Sequence, residues 1–138
     1  MIYTSYFARL NDLPSNVVPI SICGKAPDWY TGLQYKKLAP KRDFFIKWKE
    51  NHDNDYYVKC FNEQVLNKTD ILTVIKDLVD LLHSTGNLIN EKTICLVCYE
   101  KPSDFCHRHL VADWLNENGF ECKEYNFKPN VLLDMVDL

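Results

Sequence analysis

The sequence predicts a single α/β domain, a three-layer Rossmann-like fold with a mostly parallel sheet. Short apolar segments rich in β-branched and aromatic residues alternate along the chain with segments whose apolar residues recur at helical spacing. The 138 residues are enough for one compact core and too few for two. We therefore take residues 1–138 as one domain with helices on the faces of its sheet.

Four segments have the composition of strands. Thr93–Cys98 is almost wholly apolar, which is typical of a strand covered on both faces. Ile2–Leu10 mixes aromatic and β-branched residues, and Val17–Cys23 is more apolar and ends at Gly24. Phe120–Phe127 alternates apolar and polar residues and is the predicted last strand.

Helical spacing marks the segments between these strands. Arg42–Asn51 places aromatic residues on one side of a helix. Asp70 is a suitable N-cap for the next helix, whose apolar stripe ends before Gly86. Tyr56–Leu66 fits a helix or a strand, and both interpretations stay open.

Loops and turns complete the pattern. Asp28–Lys41 is irregular and rich in aromatic and basic residues, as functional loops commonly are. After the third strand, Ser103 or Asp104 is expected to cap a helix that ends at Gly119. The final residues, Val131–Leu138, fit a short tail helix or a docking strand.

Charge and hydropathy limit the class of protein. The formal net charge is -3, so the overall field does not indicate nucleic acid as a partner, although a local basic patch is compatible with one. No apolar run approaches the roughly 20 residues that span a bilayer. Met1–Leu13 lacks the basic start and apolar centre of a signal peptide. The expected compartment is the cytoplasm, without a membrane partner.

The six cysteines are expected to be free thiols that pack as small hydrophobic residues in a reducing cytosol. Cys95, Cys98, Cys106 and His107 superficially offer four zinc ligands. On an extended strand, however, residues three apart point to opposite faces, so Cys95 and Cys98 cannot hold one ion. Neither Cys98 nor Cys106 is followed six positions later by the arginine of a phosphatase loop. We therefore predict no metal site and no cofactor.

Residues 96–111 resemble the hallmark of the domain-of-unknown-function 488 family. In that family an apolar strand ends in Cys-x-Glu, and Cys-His-Arg opens a helix after a short turn. The matching residues are Cys98-Tyr99-Glu100 and Cys106-His107-Arg108, and the order of elements is similar over most of the chain. Members often carry Asp-x-Arg at the end of the second strand, where this chain has Ile22-Cys23-Gly24-Lys25. The resemblance implies an α/β fold and a site around the hallmark. Lys25 and Arg42 are candidates to supply the charge of the missing arginine.

Candidate site residues follow the second and third predicted strands. The carboxyl ends of parallel strands meet at one edge of a sheet, so these residues are expected to lie together if the two strands are neighbours. The candidate catalytic residues are Glu100, Cys106 and His107. The candidate ligand-binding residues are Ser21, Cys23, Gly24, Lys25, Trp29, Tyr30, Tyr35, Arg42, Lys101 and Arg108.

Each candidate has a chemical role and a structural alternative. In the first turn of a helix Cys106 would be a stabilised thiolate nucleophile with His107 as proton carrier, or a thiol that packs under the turn. Arg108 would grip a phosphate beside the helix N-terminus, or pair with Glu100. Glu100 would be a general base, or it would orient Arg108. The aromatic residues at 29, 30 and 35 would stack on a base, or fix the loop to the core.

The residues favour a protein that binds a nucleotide or another phosphate-bearing ligand. In one hypothesis it hydrolyses or transfers at a nucleoside or nucleotide centre. In a second hypothesis it captures the nucleotide without turnover. A thiol-dependent enzyme that uses Cys106 is the third hypothesis.

Overall fold

One parallel sheet forms the centre of the protein. The computed structural model describes residues 1–86 and 92–127. Its strands are Ile2–Tyr6 (β1), Val17–Ser21 (β2), Leu33–Gln34 (β3), Thr93–Cys98 (β4) and Cys122–Glu124 (β5). They lie in the order β3-β2-β4-β1-β5, and every described pair is parallel. The predicted α/β class is confirmed.

In the part of the chain that the structure describes, four α-helices connect the later strands. They are Arg42–Asn51 (α1), Asn54–Phe61 (α2), Ile71–His83 (α3) and His107–Glu117 (α4). A π-helical turn at Asn62–Leu66 continues α2, so the ambiguous segment is helical. Among the described residues, none of the helices combines the length and the apolar composition that a membrane span needs.

The helix ends show where local signals were sufficient. Asp70 caps α3 as predicted, since its carboxylate accepts the backbone N–H of Thr73 at 3.0 Å. The expected cap of α4 at Ser103 or Asp104 is wrong, because the N-cap is Cys106. The residues before it form a separate turn, in which the N–H of Asp104 donates to the carbonyl of Lys101 at 3.0 Å.

Two predicted strands are shorter than expected. The strand predicted at Ile2–Leu10 ends at Tyr6, where a 3₁₀ segment, Phe7–Asp12, begins. The last predicted strand shrinks to β5, which lies at the sheet edge and pairs only with the first three residues of β1. The tail predicted at Val131–Leu138 lies outside the described residues.

The order of the strands determines which face each connection covers. The connections β3 to β4 and β4 to β5 run in one direction across the sheet, whereas β1 to β2 runs in the other. Crossovers of one hand therefore place the α-helices on one face and the 3₁₀ segment on the opposite face. The buried residues agree. Phe61, Leu78 and Val111 belong to the larger core cluster, and Phe7 and Val97 belong to the smaller one.

Candidate functional site

A cleft lies where the chain changes direction in the sheet. β2 and β4 are neighbours, but the chain leaves their carboxyl ends in opposite directions, towards β3 and towards β5. Open α/β sheets bind ligands at such a switch point. The cleft here, which we call the switch-point cleft, has a volume of about 690 Å³. Its lining residues are Cys23, Gly24, Lys25, Pro40, Arg42, Phe45, Ile46, Trp48, Lys49, Tyr57, Cys98, Tyr99, Glu100, Phe105, Cys106 and His107.

The predicted convergence of two strand ends is confirmed. Residues 23–25 follow β2, and Glu100 and Cys106 follow β4, and all of them line the same cleft. The two strands are direct neighbours in register, with Ile20 opposite Leu96. Parallel pairing therefore brings together residues that are more than seventy positions apart in the sequence.

A disulfide lies at this cleft. It joins Cys98, the last residue of β4, to Cys106, the N-cap of α4. The expectation that all six cysteines are free thiols is wrong for this pair, because the turn between them folds the start of α4 back over the end of β4. The other four cysteines are free and buried. Burial raises the pKa of Cys23 to about 12, so this cleft thiol is a poor nucleophile.

His107 is a neutral imidazole at the start of α4. Its Nε2 lies 2.7 Å from the carbonyl oxygen of Ile22. A carbonyl only accepts, so Nε2 carries the proton and donates it. Burial, the largest cause, and the nearby charge of Arg108 together lower the pKa of His107 to about 4. The ring is therefore uncharged at neutral pH, and Nδ1 keeps a lone pair that accepts a proton or a metal ion.

Arg108 is fully buried, with no exposed surface, and its contacts are internal. Nε and Nη2 donate to the two carboxylate oxygens of Glu124 at 3.0 Å and 2.9 Å. Nη1 donates to the backbone carbonyl of Glu100 and to the sulfur of Cys98, at 3.2 Å from the latter. The sequence suggested a phosphate grip or a pair with the Glu100 carboxylate. The structure places the guanidinium behind the cleft, paired with Glu124.

One wall of the cleft is a face of α1. Arg42, Phe45, Ile46 and Lys49 line it, at the spacing of successive turns on one side of a helix. Phe44, one position away, is 1% exposed and packs into the core. Sequence reasoning selected only Arg42 from this face. The signal for Phe45, Ile46 and Lys49 was their helical spacing from Arg42, which gives α1 a second face of mixed apolar and basic residues.

An aromatic cluster supports that wall. The rings of Trp48 and Phe105 lie 5.6 Å apart between centroids, and Trp48 and Tyr57 lie 5.8 Å apart. Tyr57 and Phe105 meet edge to face at 5.1 Å. Between the strand ends, the hydroxyl of Tyr99 donates to the carbonyl of Lys25 at 2.6 Å. These contacts fix the wall and the strand ends of the cleft.

Six predicted ligand-binding residues are not among the lining residues: the exposed Trp29 and Lys101, the partly or wholly buried Ser21, Tyr30 and Tyr35, and the fully buried Arg108 described above. The hydroxyl of Tyr30 donates to the carbonyl of Leu33 at 2.7 Å. The hydroxyl of Tyr35 donates to the carboxylate of Asp77 at 2.6 Å. Ser21 accepts the N–H of Cys23 at 3.3 Å. The two tyrosines and the serine therefore stabilise the loop and the strand end beside the cleft.

Comparison with known proteins identifies a family. A family model described as "DUF488-N3a: Active DUF488-N3 subclade" matches residues 6–119. This range contains every residue that lines the switch-point cleft. No curated protein and no solved structure matches the chain.

The contacts of Arg108 predict a large effect of Glu124→Gln on stability. This change leaves the buried guanidinium without a counter-charge, and we expect the free energy of unfolding to fall by about 3 kcal/mol. Urea denaturation followed by circular dichroism measures the loss. Glu121→Gln is the matched control, because Glu121 is exposed in the same segment, and its effect is expected to stay below about 0.5 kcal/mol. Equal effects of the two changes would contradict the structural role of the pair.

Proposed function

The chain belongs to the domain-of-unknown-function 488 family, and we propose that it binds a nucleotide, or a similar aromatic ligand with a phosphate, in the switch-point cleft. The observation that carries this proposal is the combination of aromatic walls and excess positive charge at the carboxyl edge of the sheet. Either feature alone is common on protein surfaces. Together they match the two halves of a nucleotide, a planar base and an anionic phosphate.

The charge of the cleft is opposite to that of the protein. Lys25, Arg42 and Lys49 line it, with Glu100 as the one carboxylate among the lining residues. The whole chain has a formal net charge of -3. Within residues 1–86 and 92–127, no salt bridge involves any of the three cations. They are therefore available to an anionic ligand, and a locally positive cleft attracts one.

The aromatic side chains supply flat apolar surface. Tyr99 is 50% exposed and Phe45 is 36% exposed, and both line the cleft. Stacking of a base on such a ring contributes about 1–3 kcal/mol and does not require a particular base. The walls therefore suit a nucleobase, while the lysines and the arginine suit its phosphate.

Binding is tested with AMP, GMP, CMP and UMP, with the matching nucleosides and with inorganic phosphate, by isothermal titration calorimetry. We expect at least one nucleotide to bind, and its nucleoside and inorganic phosphate to bind about tenfold more weakly or worse, since each uses half of the cleft. Lys49→Ala should weaken binding of the nucleotide about tenfold through loss of one charged contact.

The matched control is Lys47→Ala. Lys47 lies on the same helix, is exposed, and has its Nζ 4.7 Å from the ring centroid of Tyr56, and it does not line the cleft. Lys47→Ala removes the same charge from the molecule as Lys49→Ala, but at a position outside the cleft. The Kd for the nucleotide should therefore change by no more than about twofold. If no nucleotide binds, or if both lysine changes weaken binding equally, the proposal is wrong.

Glu100 is the candidate general base of the cleft. Its side chain lines the cleft two residues beyond β4, where a carboxylate acts as general base in the cleavage or transfer of an N-glycosidic bond. We expect the wild-type protein to release free base from a bound nucleotide, and Glu100→Gln to abolish release with a Kd changed less than about threefold. Chromatography of the released base measures the reaction, and calorimetry measures the Kd.

A cleft that binds nucleotides without releasing base from any of them would be a capture module. In that case Glu100→Gln changes no rate. If Glu100→Gln instead weakens binding as strongly as Lys49→Ala does, the carboxylate contacts the ligand directly and its assignment as general base is wrong.

Thiol chemistry is a second candidate function, because a cysteine pair lines the cleft. Cys106 is the N-cap of an 11-residue helix, where backbone N–H groups favour a thiolate. After reduction in the absence of metal, we expect iodoacetamide to alkylate Cys106 at least about tenfold faster than Cys23, as measured by peptide mass spectrometry. Both residues line the cleft, so Cys23 controls for access. Similar rates would exclude an activated Cys106.

A further inference from the structure

We propose that Cys98, Cys106 and His107 form a zinc site when the protein is reduced. The two sulfurs and one ring nitrogen of His107 all lie within 4.8 Å of one another, and the three residues are buried. Thiolate and imidazole are the ligands that zinc prefers, at about 2.3 Å and about 2.0 Å. Ligand atoms around one tetrahedral ion are therefore about 3.5–4 Å apart, so small side-chain rotations bring these three onto one ion.

The orientation of His107 is that of a metal ligand. Its Nε2 donates to the carbonyl of Ile22 at 2.7 Å, which fixes the ring and leaves the lone pair of Nδ1 for the ion. Histidines that bind metals characteristically donate their other N–H to a carbonyl or a carboxylate. The hydrogen bond comes from the end of a neighbouring strand, so the ring is oriented before any ion arrives.

The cysteine backbones also suit an ion between the sulfurs. The Cα atoms of Cys98 and Cys106 are 7.6 Å apart. Disulfides usually span about 4.4–6.8 Å between Cα atoms. The wider spacing suits two sulfurs held apart by a metal. Arg108 donates to the sulfur of Cys98 at 3.2 Å, as outer residues do to thiolate ligands, and its own charge is compensated by Glu124.

This site differs from the four-ligand arrangement that strand geometry excludes. Cys95 is not part of the cluster and is buried as a free thiol. The three remaining residues line the switch-point cleft, so a fourth position on the ion faces the cleft. Catalytic zinc sites keep such an open position for water or substrate, and two cysteines with one histidine is a known catalytic set.

The disulfide and the zinc site exclude each other. A dithiol reductant supplies two electrons and two protons to the disulfide and is itself oxidised to a cyclic disulfide, so that the S–S bond breaks and two thiols form. When zinc binds, both thiols release their protons and each sulfur donates an electron pair to the ion. Oxidation of the cysteine pair therefore abolishes metal binding.

The test is a Co²⁺ titration of the full chain, reduced with dithiothreitol and freed of it under anaerobic conditions, followed by displacement with Zn²⁺. We expect one equivalent of Co²⁺ to give thiolate-to-cobalt charge-transfer absorption, which Zn²⁺ then removes. Cys106→Ser and His107→Asn should weaken Zn²⁺ binding about 100-fold or more, whereas Cys95→Ser should leave it within about threefold. Absence of the absorption in the reduced wild type, or its retention in Cys106→Ser, would overturn the proposal.

Two measurements on the wild type keep the test decisive if a variant does not fold. Zn²⁺ should slow the alkylation of Cys98 and Cys106 by iodoacetamide at least about tenfold, and the oxidised protein should show no charge-transfer absorption. Unchanged alkylation rates, or equal absorption by oxidised protein, would exclude the site. All of these titrations omit nucleotide, and nucleotide binding is measured without metal. The zinc site and nucleotide binding are therefore tested independently of each other.

Discussion

The ion pair between Arg108 and Glu124 is the interaction on which the rest of the site depends. A guanidinium without exposed surface requires a counter-charge and several hydrogen bonds, because desolvation would otherwise destabilise the fold. Glu124 on β5 supplies the charge, and the hydroxyl of Thr4 on β1 donates to the same carboxylate at 2.7 Å. The remaining N–H groups of Arg108 hold the carbonyl of Glu100 and the sulfur of Cys98. The first turn of α4 is thereby fixed against the end of β4.

The cations of the site divide into two roles. The charge of Arg108 is compensated by internal contacts, and this fully buried residue is not among the lining residues of the cleft. Lys25, after β2, and Lys49, on α1, both line the cleft and have no salt bridge among the described residues. A sequence motif that contains an arginine therefore does not identify which cation binds an anion. The burial of each cation and its partners in the structure show which one is available to an anion.

Sequence patterns correctly predicted the helices and strands that are determined by residues close together in the sequence. The apolar run of β4, the helical spacing of α1 and the capping carboxylate of Asp70 all depend on neighbours within a few residues, and the structure has each of them where the sequence placed it. The meeting of the β2 and β4 ends followed from parallel pairing, a rule of topology.

Other features depend on partners that the sequence does not rank. Glu124 of β5 pairs with Arg108 of α4, whereas the sequence alone offers Glu100 equally well as its partner. The aromatic residues of α1 serve two surfaces, since Phe44 fills the core and Phe45 lines the cleft. Helical periodicity shows that a face is apolar, and it does not show whether that face covers a core or a cavity.

The position of β1 and β2 on either side of β4 has a consequence for how the chain folds. The two strands do not pair with each other, and both pair with β4, so of the described strand pairs only the short pair of β2 with β3 can form before residues 93–98 leave the ribosome. Long-range parallel pairing of this kind is slow. Until β4, whose last residue is Cys98, is synthesised, β1 therefore has no partner among the described strands and β2 has only the short β3.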